Sequence, residues 1–323
     1  MQPIQHFDAT TVQEAVSLLT TYKGNVAVIA GGTDLLGLLK DKVLPTLPGV
    51  LVNIKNIPNM NTISVQSGVL TIGATATLSD IATNSTITSG YPVLAQAASL
   101  AATPNIRNMG TIGGNIRQAA RCWYFRARNN YFYCLRKGGL TCFAVSGDNR
   151  LHGVYGAGGC YMAHPSDMAP ALIAMGASVS VTGPSGSRTV KVQDMYEALG
   201  DTIAQDEIIT AVTVPAPAAG TKAAYLKFRF RKSIEFPLIG VAASLTVSGG
   251  NVTNAIIALA GASPTPIRAK AAESAMVGKA ISATTAAAAA TAGVQEFVPL
   301  TMNKYKVTIA QTLIGNAILA CAT

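Results

Sequence analysis

Charge is scarce in this sequence. Only 12% of its 323 residues are Asp, Glu, Lys or Arg, and the 15 acidic residues are outnumbered by 24 basic ones. Aromatics make up 6%, with a single tryptophan, whereas 49% of the residues are hydrophobic. That balance excludes an intrinsically disordered chain, which has too little apolar mass to bury. No uninterrupted apolar run approaches the ~18 residues of a membrane-spanning helix, so no membrane span is expected. The opening stretch MQPIQHFDATT lacks a basic and then hydrophobic leader, so no secretory signal is expected. His6, His152 and His164 are too scattered to build a proton-abstracting triad, and no catalytic acid–base residue is assigned. There is no G-x-G-x-x-G, no P-loop and no C-x2-C pair, which sets aside the commonest nucleotide, zinc-ribbon and ferredoxin signatures.

What is present is uneven. The length allows two or three domains with substantial cores. The net charge of +9 invites a nucleic-acid reading, and Arg117, Arg121, Arg126, Arg128, Arg136, Lys137 and Arg150 gather near aromatics such as Trp123 and Tyr131. A cationic loop around a metal cluster, or an acidic protein partner, explains the same residues, and no nucleic-acid partner is expected.

Two glycine-rich turns frame the first third. Residues 10–22 carry helical periodicity, with Thr10 or Thr11 as N-cap and Glu14 as the capping-box acid. A strand at Val26–Ala30 then runs into Gly31-Gly32-Thr33-Asp34 and a second helical stretch, LLGLLK. Strand, glycine turn and helix aim backbone N–H groups at an anion, although an ordinary connection has the same spacing. A strand at Val50–Ile54, a hairpin of Thr62–Val65 and Leu70–Ile72, and an Ala-rich helix at 91–102 precede the second turn, Gly110-Thr111-Ile112-Gly113-Gly114-Asn115. Two such turns about 80 residues apart look like the jaws of a dinucleotide site.

Four of the five cysteines follow within 39 residues, as Cys122, Cys134, Cys142 and Cys160, spaced C-x11-C-x7-C-x17-C. Three readings compete: separate buried thiols, two disulfides, or a four-thiolate metal site. Disulfides would need an oxidising compartment, which nothing else indicates. Iron–sulfur is favoured over zinc because a 4Fe–4S cube accepts wide loop spacings and nearby cations offset its negative charge. Farther on, strands are expected at Ala177–Val181 and Glu207–Val214, a linker at Pro215–Gly220, and further strands at Tyr225–Arg231, Phe236–Val247 and Val252–Ala260. Helices are expected over 268–294 and 304–320, which makes the last third α+β.

With these residues on the page, the chain resembles the flavin-binding medium subunit of the molybdenum hydroxylases, the xanthine dehydrogenase and carbon monoxide dehydrogenase group. The carriers are Ala30-Gly31-Gly32-Thr33-Asp34-Leu35, Thr111-Ile112-Gly113-Gly114-Asn115, Ser166-Asp167 with its apolar run, and Lys227 within YLKFRFRKSIEFPLIGVAA. The interval from Asn115 to Ser166 is far longer than in most members, and the extra length holds the four cysteines. In this it is similar to the β subunit of 4-hydroxybenzoyl-CoA reductases, whose loop binds a 4Fe–4S cluster. Periplasmic-type aldehyde oxidoreductases also have a cluster-bearing flavin subunit, so the same role in an aldehyde or N-heterocycle oxidoreductase is the alternative the resemblance implies.

The resemblance implies an α+β protein. An FAD-binding domain, residues 1–214, would comprise two α/β subdomains, 1–57 and 58–214, with a cluster-binding insertion at 119–162. A linker at 215–221 and a C-terminal flavoprotein domain at 222–323 would follow. FAD would lie between the subdomains, its pyrophosphate held by Ile29, Ala30, Gly31, Gly32, Thr33 and Leu35. Asp34 would orient that turn or bind through water rather than face phosphate directly. Thr111, Gly114, Asn115 and Gln118 would contact the cofactor from the other side. Ala101 and Ala102 would allow its close passage, Asp167 would bind ribose or the flavin chain, and Lys227 would approach the isoalloxazine. Cys122, Cys134, Cys142 and Cys160 would ligate the 4Fe–4S cluster. The implied partners are a large molybdenum-cofactor subunit, a small subunit with two 2Fe–2S clusters and an external carrier such as ferredoxin, in a dimer of heterotrimers. The cytoplasm is the implied compartment, with export on a signal-bearing partner as the other route. A stand-alone FAD oxidase and a zinc-stabilised binding protein are the rival classes.

Overall fold

The computed structural model describes residues 3–322. Its first sheet is small and parallel, in the order β1-β3-β2, from β1 (Gln5–Asp8), β2 (Val26–Ile29) and β3 (Val50–Asn53). Helix α1 (Val12–Thr21) connects the first two strands and α2 (Leu35–Lys40) follows the glycine turn. Thr11 caps α1 by accepting from the Glu14 N–H at 3.1 Å, whereas the Glu14 carboxylate reaches past it to the Thr10 N–H at 2.8 Å. Both threonines therefore serve the cap, one for each half of the expected box.

The second sheet is antiparallel and five-stranded, with β4 (Ile63–Gln66) and β5 (Val69–Gly73) forming the expected hairpin at one edge. Ser67 and Gly68 both have positive φ, 49° and 75°, as a two-residue primed turn requires. Five short helices follow: α3 (Leu78–Thr83), α4 (Ser85–Gly90), α5 (Pro92–Leu100), α6 (Pro104–Arg107) and α7 (Ile112–Ile116). The Ala-rich helix expected over 91–102 stops at Leu100, leaving Ala101 extended and Ala102 at φ 44°. The cysteine segment carries one short helix, α8 (Trp123–Arg126), and two single 3-10 turns. Helix α9 (Met168–Ala174) is buried along its whole length, and β6 (Ser178–Gly183), β7 (Gly186–Lys191) and β8 (Ile208–Val214) complete the sheet.

The third sheet, β12-β11-β10-β9, is antiparallel: β9 (Thr221–Phe228), β10 (Ile239–Ser248), β11 (Asn251–Ala260) and β12 (Ile267–Arg268). The strand β9 starts inside the expected linker and ends before Arg229. Helices α10 (Lys270–Met276), α11 (Ala283–Ala292) and α12 (Tyr305–Ala320) cover one face of this sheet, and α5 and α9 pack on the other. Val241, Ala243 and Leu245 accordingly belong to one core and Ala242 to the neighbouring one. Burial on both faces explains why β10 reads as a continuous apolar run rather than an alternating one. The single helical stretch expected over 268–294 is broken. Gly278, at φ 77°, turns the chain back so that its N–H donates to the Val252 carbonyl at 2.8 Å. Among the described residues, no helix is long and apolar enough to cross a membrane.

Candidate functional site

A cleft of about 580 Å³ opens between the first two sheets and is closed at one rim by Ile234–Phe236. Its size is that of a cofactor site. One wall is β2 and the glycine turn with Leu35. The opposite wall is Thr111, Gly113, Gly114, Asn115 and Gln118, and Ala101, Ala102 and Asp167 also line it. Of the residues expected to contact a flavin, Lys227 alone does not reach the cleft.

The two glycine turns press directly on each other. A Cβ on Gly31 would lie 1.8 Å from the Met109 carbonyl oxygen, so only glycine allows that approach. Gly32 adopts φ 69°. Among the described residues, the amide N–H groups of Gly31, Gly32, Thr33, Asp34 and Leu35 have no protein acceptor, and all five residues line the cleft. Consecutive free N–H donors at the mouth of a cleft form an anion cradle, which is the fit that a diphosphate requires. On the other wall, the Thr111 hydroxyl accepts from the Gly114 N–H at 3.2 Å. The Asn115 carboxamide oxygen accepts from Ser166 Oγ at 2.6 Å, and Ser166 Oγ in turn accepts from the Ala169 N–H, capping α9.

Asp34 faces the protein rather than the cleft's anion cradle. Its carboxylate accepts from the Ala119 N–H at 2.8 Å and from the Arg126 guanidinium, and it forms an ion pair with Arg121 at 2.9 Å. Arg126 also donates to the Ala120 carbonyl at 2.7 Å. The turn's carboxylate therefore clamps the start of the cysteine segment. Leu38 of α2 packs with Phe125, Cys134 and Cys160 in the segment's own small core. Burial lowers the Arg121 pKa to about 10 against the opposing pull of Asp34.

Asp167, which lines the cleft, is joined to Lys227 by an ion pair. Lys227 Nζ donates to Asp167 Oδ2 at 2.9 Å and to the Leu100 carbonyl at 3.0 Å, and Tyr225 donates to Asp167 Oδ1 at 2.6 Å. The Lys227 side chain is wholly sealed from solvent. The expected strand around YLKFRFR thus directs Tyr225 and Lys227 into the junction with α9. Burial raises the Asp167 pKa and lowers that of Lys227, and in each the partner's charge opposes the shift.

Cys122, Cys134, Cys142 and Cys160 line one small cavity of about 20 Å³ beside the cleft, with His152 and Tyr124. All are free thiols, which removes the two-disulfide reading. Cys142 and Cys160 share a hydrogen bond that lowers the Cys142 pKa to about 6 and raises that of Cys160. Burial pushes Cys122 up to about 11, and His152 Nε2 lies 3.1 Å from its sulfur. Among the described residues, no set of three or more His, Cys, Asp or Glu side chains is arranged to hold a metal ion. The donor set fits a thiolate-ligated cluster in kind and number, whereas the space between the sulfurs holds no more than a water. Cluster binding would require the Cys142–Cys160 pair to part. Cys321 is buried in the separate C-terminal core.

Sequence reasoning placed Arg121 and Arg126 in a cationic loop without pairing them to Asp34, and it missed the Ile234–Phe236 rim. Nothing in periodicity marks them, because they act through contacts across 85 or more residues, as in the Asp34 bonds.

Comparison with known proteins agrees with this geometry. A family model of the FAD-binding domain in molybdopterin dehydrogenase matches residues 2–217, and one of the carbon monoxide dehydrogenase flavoprotein C-terminal domain matches residues 223–321. The chain is 35% identical to the aldehyde oxidoreductase FAD-binding subunit PaoB of Escherichia coli K12, over 76% of this chain and 77% of that one. It is 30% identical to the carbon monoxide dehydrogenase medium chain of Hydrogenophaga pseudoflava, over 88% and 83% respectively. A solved structure of carbon monoxide dehydrogenase from the same organism superposes with a TM-score of 0.80 at 28% identity, covering 99% of this chain and 97% of that one.

Proposed function

This chain belongs to the FAD-binding subunits of the molybdenum hydroxylases, and we propose that within that family it is an electron-transfer subunit carrying FAD and a 4Fe–4S cluster. The observation that carries the proposal is the convergence of four free thiols on one cavity close to the flavin cleft: Arg121, which precedes Cys122, and Leu38, which shares a core with Cys134 and Cys160, both line that cleft. When bound, FAD exchanges electron pairs for single electrons and an iron–sulfur cluster relays the single electrons. The chain's own residues bind and insulate. Gly31–Leu35 offer N–H donors to the diphosphate, with Ile29 and Ala30 leading into the turn. Thr111, Gly114, Asn115 and Gln118 bound the cofactor from the second wall, and the small side chains of Ala101 and Ala102 permit its passage. Asp167 and Lys227 hold the junction between the cleft and the third sheet. Arg121, Arg126, Arg136 and Lys137 supply positive charge around the thiols. No proton-abstracting group is needed, since substrate chemistry falls to a partner.

The partners proposed are a large molybdenum-cofactor subunit and a small subunit with two 2Fe–2S clusters, with a soluble carrier such as ferredoxin outside the complex. Assembly as a dimer of heterotrimers in the cytoplasm, with or without later export, completes the proposal. The cysteine loop suits a 4-hydroxybenzoyl-CoA reductase and an aldehyde oxidoreductase alike. The 35% identity to PaoB favours an aldehyde as the substrate of the complex.

The test is an absorption spectrum with iron, sulfide and zinc analysis on the wild type and Cys134→Ala. Flavin bands with about four irons, the iron lost on substitution while flavin stays, is the expected result. Flavin without iron, or with one zinc, would reduce the cysteine segment to a structural loop. Aldehyde turnover by the copurified complex, against 4-hydroxybenzoyl-CoA, then separates the two substrate classes.

A further inference from the structure

The flavin cleft has a cation that sequence motifs do not assign, and it comes from the cysteine segment. Arg121 lines the cleft and immediately precedes Cys122. Its guanidinium is held by three neighbours: Nη2 pairs with Asp34 Oδ1 at 2.9 Å and donates to Gln118 Oε1 at 3.4 Å, and the Phe236 ring lies 4.7 Å beneath it. Its Nε–H is buried without an acceptor among the described residues, so the guanidinium faces the cleft through its terminal nitrogens. Asp34 already receives Arg126, so one carboxylate faces two guanidiniums and the group retains one positive charge. The same Asp34 belongs to the turn whose five N–H groups also lack acceptors. An uncompensated charge beside an N–H cradle specifies an anionic ligand.

We propose that Arg121 is a cofactor-binding residue, donating to the FAD diphosphate beside the Gly31–Leu35 turn. The inference rests on the proposed FAD site. It also resolves the presence of a carboxylate in a phosphate-binding turn: Asp34 fixes the guanidinium that faces the phosphate. Because Arg121 is part of the cysteine segment, cofactor binding and the order of that segment are coupled, and the coupling is reciprocal. Lys227, whose ammonium is occupied by Asp167 and the Leu100 carbonyl, has no such role toward the diphosphate.

The experiment titrates flavin-free protein with FAD and with riboflavin, which lacks the diphosphate, for the wild type, Arg121→Met and Arg121→Lys. Asp34 keeps Arg126 in both variants, and circular dichroism checks that they fold. Arg121→Met is expected to weaken FAD by on the order of tenfold or more while leaving riboflavin unchanged, and Arg121→Lys to recover part of the loss. Amide exchange across 117–126 is expected to slow when FAD binds the wild type, and less so in Arg121→Met. Equal weakening of FAD and riboflavin, or unchanged FAD affinity, would overturn the assignment. A wild type that binds no FAD would instead overturn the proposed site itself.

Discussion

Replacing Lys227 with methionine is the sharpest test of how the flavin domain is joined to the C-terminal one. The perturbation leaves the methylene stem in place and removes one charge from a pair that solvent does not reach. Asp167 then keeps a single donor, the Tyr225 hydroxyl at 2.6 Å. Removing one member of a buried pair costs about 3–5 kcal/mol, because the remaining charge is stranded in a poor solvent. That is a large fraction of the roughly 5–15 kcal/mol that stabilises a typical domain. The carboxyl can escape by taking up a proton, which sets a pH signature. Burial already raises its pKa, and without Lys227 the rise is larger. A carboxyl whose pKa is higher folded than unfolded binds more protons in the native state, so the variant's deficit against the wild type grows as pH rises above the wild-type carboxyl's own raised pKa. Urea unfolding followed by circular dichroism, at acidic and neutral pH, measures this. The double variant Asp167→Asn/Lys227→Met is expected to recover about half of the loss, since both charges are then gone. A loss below about 1 kcal/mol with no pH dependence, or a double variant no better than Lys227→Met, would refute the reasoning.

The remaining predictions are independent of that pair. Gly31→Ala places a methyl 1.8 Å from the Met109 carbonyl oxygen and is expected to cost about 3 kcal/mol and abolish FAD retention, whereas Gly37→Ala, with nothing within 4 Å, gains up to about 1 kcal/mol; flavin content and unfolding midpoints report both. His164 is buried, with its pKa lowered to about 3 by burial and by Arg136, and its Nδ1 has no partner. The unfolded chain therefore binds its proton first as pH falls, and stability is lost between about pH 6.5 and 3, up to a limit of about 5 kcal/mol. A shallower acid slope in His164→Gln is the expected outcome, and parallel slopes would reject it.

What the sequence determined is mostly local. Apolar period, turn residues and caps placed β2, the Ser67-Gly68 hairpin, α1 and β8 to within a residue or two, because such signals need only near neighbours to act. The two glycine turns also declared themselves, since a close backbone approach excludes every side chain but hydrogen, wherever the partner lies. The tertiary structure decided what those elements meet. Asp34 could be read as a turn residue, but its two arginines are brought to it only by the fold of the cysteine segment. Lys227 was legible as a charged residue on a strand. Its burial against Asp167 depends on α9 packing across the face of the third sheet, a contact between residues 60 positions apart. The break at Gly278 was hidden within an Ala-rich helical run, because the competing hydrogen bonds come from the start of β11. The clustering of the four cysteines was visible as spacing alone, while their convergence on one cavity required the chain to close upon itself, held at one end by Asp34 and packed at its centre around Leu38.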